Sequence, residues 1–413
     1  MKLSLPLKFI SLVGLATLLY WAFLPQKSGF LVTGDYRGEI KPCGCSQKGD
    51  QGGIERASSF IKSHKTGKFW VDLGNFSAQP TEQGHLKTAL FVTYFKKLGL
   101  TALLPGPREF ASGESFFTKH PLPYLLSNQK RELVPAAKKI TSHGVDFYGF
   151  LSPDLLSKGT HITPWLNDVD LFLERLGEVQ ENSVLLFRGN DQELLQLNES
   201  GKFKLIIVGN QGLDEVQQTL KTEIEAKTFY KPPVKGQGIL QLKRLEDQTG
   251  KIIWLTAEVK SDKSWLPHFK EYNARVNDLF MAFLEQQSKA PEKRVYKGKA
   301  HCISCHPSQG ELYEQSRHAT AYESLKAVNK EFDPECITCH VAGFKKGGFL
   351  SAEITPHLKG VSCENCHGPF VDHKNGWKDR KKVEEATCKG CHTVGHSPDF
   401  NFETYFKKIV HSK

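Results

Sequence analysis

The chain has 413 residues, a formal net charge of +10 and ten cysteines. That length allows two or three domains. The positive balance does not mark a nucleic-acid binder: the lysines are scattered, and the densest stretch, 378–382, is interrupted by Asp379.

Residues 9–24 are an uncharged apolar run behind Lys2 and Lys8, with Tyr20 and Trp21 near its far end as in an interfacial aromatic belt. Residues 1–28 therefore read as a signal peptide or an uncleaved membrane anchor, and the lack of small residues spaced two apart favours the anchor. Either way the body is expected outside the cytoplasm, periplasmic or extracytoplasmic, and held to the inner membrane if the segment stays.

From 29 to 262 short apolar runs alternate with helical patterns. Residues 30–33, 69–73, 102–104, 184–187 and 205–208 read as buried strands, and 54–62, 86–98 and 170–179 as helices. Segments 239–245 and 252–259 flank Asp247-Gln248-Thr249-Gly250, a hairpin signal. The alternation predicts an α/β layered domain. Cys43 and Cys45, one glycine apart, fit either a small strained disulfide or a soft-metal pair.

Residues 263–295 hold an amphipathic helix and a linker. Phe269, Tyr272, Val276, Leu279, Phe280 and Phe283 share one stripe, and Ala290-Pro291-Glu292-Lys293-Arg294 follows it. The stripe reads as core or interdomain packing, with a coiled-coil homodimer as the alternative.

Residues 296–413 carry eight of the ten cysteines and ten of the 16 histidines. They repeat Cys-x-x-Cys-His four times: Cys302/Cys305/His306, Cys336/Cys339/His340, Cys363/Cys366/His367 and Cys388/Cys391/His392. This is the attachment signal for c-type haem. Two thiols add across the porphyrin vinyl groups, and the adjacent histidine ligates iron. Zinc ribbons need no histidine after the second cysteine, whereas every pair here has one. Four haem c groups are expected, in a mainly α, loop-rich domain that depends on them for its core. Methionine occurs only at 1 and 281, so the second ligand of each iron is a histidine, another donor or nothing, and the free histidines of the region are His301, His318, His357, His373, His396 and His411.

The punctuation of this region resembles the tetrahaem cytochrome c-554/552 family. The residues that carry the likeness are Ser316-Arg317-His318-Ala319-Thr320-Ala321, Gly360-Val361-Ser362-Cys363-Glu364-Asn365-Cys366-His367-Gly368-Pro369 and Ser397-Pro398-Asp399-Phe400-Asn401-Phe402. The resemblance implies distal ligation by His318, His373 and His411, close haem stacking, and room for one five-coordinate haem.

The 29–262 region is similar to the metallophosphoesterase fold of periplasmic 5′-nucleotidases, a layered sandwich. Gly34-Asp35-Tyr36-Arg37-Gly38, Asp72-Leu73-Gly74-Asn75, Gly106-Pro107-Arg108-Glu109 and Gly209-Asn210-Gln211-Gly212 stand at its metal-binding landmarks. Of the ligands only Asp35 is kept. Arg37, Arg108 and Asn210 stand for histidines and Asn75 for the bridging aspartate, and an arginine cannot ligate a metal. Hydrolysis is expected to be lost, with Arg37 and Arg108 read as surface ion-pairing residues.

The expected function is electron transfer to and from redox partner proteins, with the α/β domain inactive and used for docking or support. A reductase or oxidase of small nitrogen or sulfur compounds at an open haem is the alternative, and a metal-dependent phosphoesterase the second. No nucleic-acid partner is expected.

Overall fold

The computed structural model describes residues 29–42, 50–132, 134–156, 165–211, 220–224, 227–245, 249–289, 293, 295–369, 383–393, 396–397 and 399–410. The proposed anchor, Cys43, Cys45, His373 and His411 lie outside the described residues. The chain divides into two compact units. One takes in Met1–Ile40, Gly52–Ala78 and Phe91–Asp262; the other takes in Lys41–Gln51, Gln79–Leu90 and Lys263–Lys413.

The first unit holds β1 (Gly29–Thr33), β2 (Lys68–Asp72), β3 (Ala102–Leu103), β4 (Ile140–Ser142), β5 (Val145–Leu151), β6 (Ser183–Arg188), β7 (Leu205–Val208), β8 (Lys221–Ile224), β9 (Lys227–Tyr230), β10 (Gly238–Leu242) and β11 (Gly250–Trp254). One sheet has the order β11-β10-β1-β2-β3, the second β4-β5-β6-β7, and β8-β9 is a separate ribbon. β1, β2 and β3 run parallel, as do β5, β6 and β7.

Strand alternation builds the layers. On β2, Phe69 meets Phe147 of β5 at 5.1 Å, sheet against sheet, while Trp70 turns the other way onto Tyr94 at 5.4 Å in the helix Glu82–Leu98. On the second sheet Phe150 and Phe187 face outward onto Phe172 and Leu194, from the helices Val169–Leu176 and Asp191–Glu199. The result is a four-layer α/β/β/α sandwich.

The sequence pattern misses β5, a fully buried strand at the centre of the second sheet. Gly149 at its middle reads as a breaker, but a Cβ there would lie 2.5 Å from Leu125 O, so close backbone approach demands glycine. The helix expected to reach 179 ends at Leu176, because Gly177 turns left-handed at φ 64°. The helix expected from 86 starts at Glu82: its polar first turn carries no apolar period.

In the second unit the helix Leu266–Lys289 buries Phe269, Tyr272, Val276 and Phe280. Its end packs into a cluster with Tyr322, Leu325, Ile337, Val341, Phe344, Phe349 and Leu358. From 383 to 410 no described residue is buried, the aromatics Phe400, Phe402, Tyr405 and Phe406 included. Polypeptide alone makes no core there. Among the described residues no helix is long and apolar enough to cross a membrane.

Candidate functional site

Each Cys-x-x-Cys-His motif lies on a short helical turn. The second and third lie within Pro334–His340 and Cys363–His367. The first and fourth begin in Lys299–Ile303 and Glu385–Lys389, and their histidines still hydrogen-bond back by four residues, His306 N to Cys302 O at 3.0 Å and His392 N to Cys388 O at 2.8 Å. Positions i, i+3 and i+4 of a turn share one face. Both thiols and the imidazole of a motif thus address the same side, as two thioethers and one axial bond to a single porphyrin require.

The histidine surroundings fit iron ligation. His340 places Nδ1 2.6 Å from Ala321 O, and His392 places Nδ1 3.2 Å from Ser397 Oγ. Such anchoring leaves Nε2 to the metal and fixes the ring. His392 also stacks on Phe400 at 4.9 Å. His318 stands with its ring 6.1 Å from that of His392. Two imidazoles on opposite sides of one metal, each bonded at roughly 2 Å, have centroids about 6 Å apart. Burial, then the neighbouring His392, lowers the His318 pKa, and burial lowers that of His392, so both favour the neutral ring that ligates. The backbone of His318 is fastened just ahead of the third motif, by Val361 N to His318 O at 3.0 Å.

None of the eight motif cysteines is joined in a disulfide. The Cys302 sulfur lies beside that of Cys363, and the Cys339 sulfur beside that of Cys391, so the first turn adjoins the third and the second adjoins the fourth. Tyr313 Oη is buried with no hydrogen-bond partner among the described residues, beside Gly360 at the approach to the third motif. An unspent donor, aligned thiols and a segment without its own core all fit a covalently held, acid-bearing porphyrin.

In the first unit the phosphoesterase-like landmarks do converge, at the carboxyl ends of parallel strands from both sheets. Asp35 is fully buried, with a left-handed φ of 51°. Asn75 Nδ2 donates to its Oδ1 at 2.9 Å and Asn210 Nδ2 to its Oδ2 at 3.2 Å. What sequence reading missed is Arg188, the last residue of β6, which is also fully buried. Its Nη1 and Nη2 meet Asp35 Oδ1 and Oδ2 at 3.2 and 3.0 Å. Nε reaches Leu73 O at 3.1 Å, Nη1 also Asn210 O at 2.5 Å, and Nη2 also Leu73 O. All five guanidinium N–H groups are used. A charged residue ending an apolar strand was the available signal.

Glu109 was likewise missed as a structural hub. Its carboxylate accepts from Asn75 N and Gly106 N at 2.8 Å each and from Ser77 N at 3.0 Å. Arg108 donates Nε to Ser77 O at 3.0 Å and is half-buried, as is Arg37. Among the described residues no cluster of three or more His, Cys, Asp or Glu side chains is placed to hold a metal. With a guanidinium on both Asp35 oxygens, this pocket does not fit the two-metal centre of phosphoesterases.

Comparison with known proteins matches residues 301–368 to the family described as cytochrome c554 and c-prime. Cytochrome c-554 of Nitrosomonas europaea is 36% identical over 129 residues, which cover 26% of this chain and 54% of the relative. The chain thus spans about half the length of the curated relative it matches. Among solved structures, a 5′-nucleotidase from Staphylococcus aureus is similar with a TM-score of 0.46 and 14% identity, over 60% of this chain and 58% of that one. The Thermus thermophilus sulfate thiohydrolase SoxB is similar with a TM-score of 0.47 and 13% identity, over 61% of each chain.

Proposed function

We propose that this chain is an exported multihaem cytochrome c that transfers electrons through four haems. The arrangement of each motif on one helical turn, with Nδ1 of His340 and His392 anchored, is the observation that carries the reading. The thiols of Cys302 and Cys305, Cys336 and Cys339, Cys363 and Cys366, and Cys388 and Cys391 form the thioethers. His306, His340, His367 and His392 would each hold the iron of the haem attached through their own motif. Bound haem contributes an iron that cycles between ferric and ferrous states, one electron at a time.

His318, with its ring 6.1 Å from that of His392, would hold the same iron as His392. His373 and His411 remain the candidates for two other irons. With methionine confined to 1 and 281, histidine ligation keeps the potentials low relative to His/Met cytochromes. The adjoining thiols support a transfer path in which the first haem neighbours the third and the second neighbours the fourth. The α/β unit is a catalytically silent support or docking domain, because Arg188 occupies the carboxylate that a metal would need. The membrane tether at 1–28 belongs to the same reading.

The test is a pyridine haemochrome assay on the purified full chain, together with its spin-state spectrum. Four haems per chain are expected. Two or fewer, with zinc bound in their place, defeats the proposal. A high-spin ferric signal that binds cyanide or nitric oxide moves the function to a small-molecule oxidoreductase.

A further inference from the structure

The third attachment motif carries a glutamate directly after its first cysteine, where the other three motifs have Ile303, Ile337 and Lys389. Glu364 does not face water: it is 3% exposed. Its Oε2 accepts from Gly298 N at 2.8 Å, and Lys297 N lies 3.0 Å from Oε1 and 3.2 Å from Oε2. Gly298 is the N-cap of Lys299–Ile303, the helix that carries Cys302. A side chain of the third motif therefore holds the entry to the first. Backbone N–H donors on both oxygens match the ionised, acceptor-only carboxylate, and such charge-assisted bonds are the strong ones.

The entry has little slack on its other side. Gly298 has φ 82°, and a Cβ there would lie 2.7 Å from His357 O and 3.0 Å from His357 Cδ2. Beyond it the Cys302 and Cys363 sulfurs lie side by side. The turn of the third motif does not need Glu364 for itself: Asn365 closes it, with Oδ1 accepting from Ser362 N at 2.9 Å and Nδ2 donating to Val341 O at 2.9 Å. Burying a carboxylate is costly. The hydrogen bond to Gly298, 66 residues away at the entry to the first motif, helps offset this cost.

We propose that Glu364 is a positioning residue that locks the first haem-attachment turn onto the third and so fixes the spacing of the two haems they hold. The inference rests on the haem reading above. It also sets a fixed negative charge beside that pair, which favours the ferric state and holds both potentials down.

The test uses full-length, haem-loaded protein carrying Glu364→Gln, with Glu385→Gln as control. Glu385 is an exposed carboxylate on the fourth turn, paired with Lys389 at 3.0 Å. In E364Q the haem count stays at the wild-type value, because the cysteines attach the haems. Hydrogen exchange at the Lys297 and Gly298 amides quickens about 10- to 100-fold, the counterpart of hydrogen bonds to a charged group. The Soret circular-dichroism couplet of the closest haem pair changes, and two of the potentials rise while the others stay. E385Q leaves both amides and the couplet unchanged. Glu364→Asp, a second variant that keeps the charge and shortens the reach, quickens the amides while moving the potentials less. Wild-type exchange and an unchanged couplet in E364Q and E364D overturn the proposal. Fewer than four haems on the wild-type chain overturn the haem reading instead.

Discussion

Replacing Arg188 by methionine keeps the length of the side chain and removes the guanidinium. Asp35 then stays fully buried, facing only the amides of Asn75 and Asn210. Leu73 O loses both guanidinium donors, and Asn210 O loses one. Removing one partner of a buried pair costs about 3–5 kcal/mol. Asp35→Asn in the same chain removes the orphaned charge, and asparagine tolerates the left-handed φ of 51° at this position. The double variant is therefore expected to be more stable than R188M alone, the pair coupling non-additively. A single melting temperature is a poor readout for a chain of two units. Native-state hydrogen exchange resolves the unit: in R188M, peptides covering β1 and β7 should exchange on the order of 10²–10⁴-fold faster, the counterpart of that loss. Wild-type exchange in R188M would falsify the claim that this guanidinium holds the two sheets' strand ends together. So would a double variant less stable than R188M.

The remaining expectations are more direct. His318→Ala should keep every haem attached, convert one low-spin iron to high spin and raise its potential, while the same change at His64, His85 or His120 leaves the spectrum alone; wild-type spin states in H318A make His318 a bystander. The α/β unit should take up no stoichiometric manganese or zinc and hydrolyse no phosphate ester, and metal-dependent turnover abolished by Asp35→Ala would show the pocket to be live. Burial pushes Asp72 from an ordinary 3.8 up to about 7, against the hydrogen bonds from Thr33 and Gly74. Because the folded value is the higher one, its stabilising contribution is fully present below about pH 4 and is lost as pH rises to about 7, a span of roughly 4 kcal/mol. Asp72→Asn should flatten that slope in exchange experiments between pH 4 and 8, and an unchanged slope would assign it to another group.

How much of this was legible in the sequence depends on the range of the interaction. A Cys-x-x-Cys-His motif is five consecutive residues, and one helical turn is enough to bring its two thiols and its imidazole to one face, so the chemistry of the C-terminal region is written locally. Apolar runs marked most strands of the first sheet for the same reason: alternation and burial are properties of short segments. β5 escaped because the glycine that makes it possible there also reads as a break. The helix Glu82–Leu98 was found from its apolar face, but its polar first turn was not. The landmarks of the α/β unit were legible as residue types, and the loss of histidines could be read directly.

What fills their place could not. Arg188 and Asp35 are separated by 153 residues, and Glu364 meets Gly298 across 66. A charged residue in a sequence is solvated until the fold removes water from it, and nothing in its neighbours announces which distant group will be its partner. The sequence by itself determined the attachment motifs, the inventory of free histidines beside them and the alternation of strands and helices. Tertiary structure alone decided that a guanidinium lies where a cation is needed, that His318 stands across from His392, and which attachment turns adjoin. Those choices depend on which strand ends and turns the packed layers bring within hydrogen-bond reach, and that is a property of the whole fold.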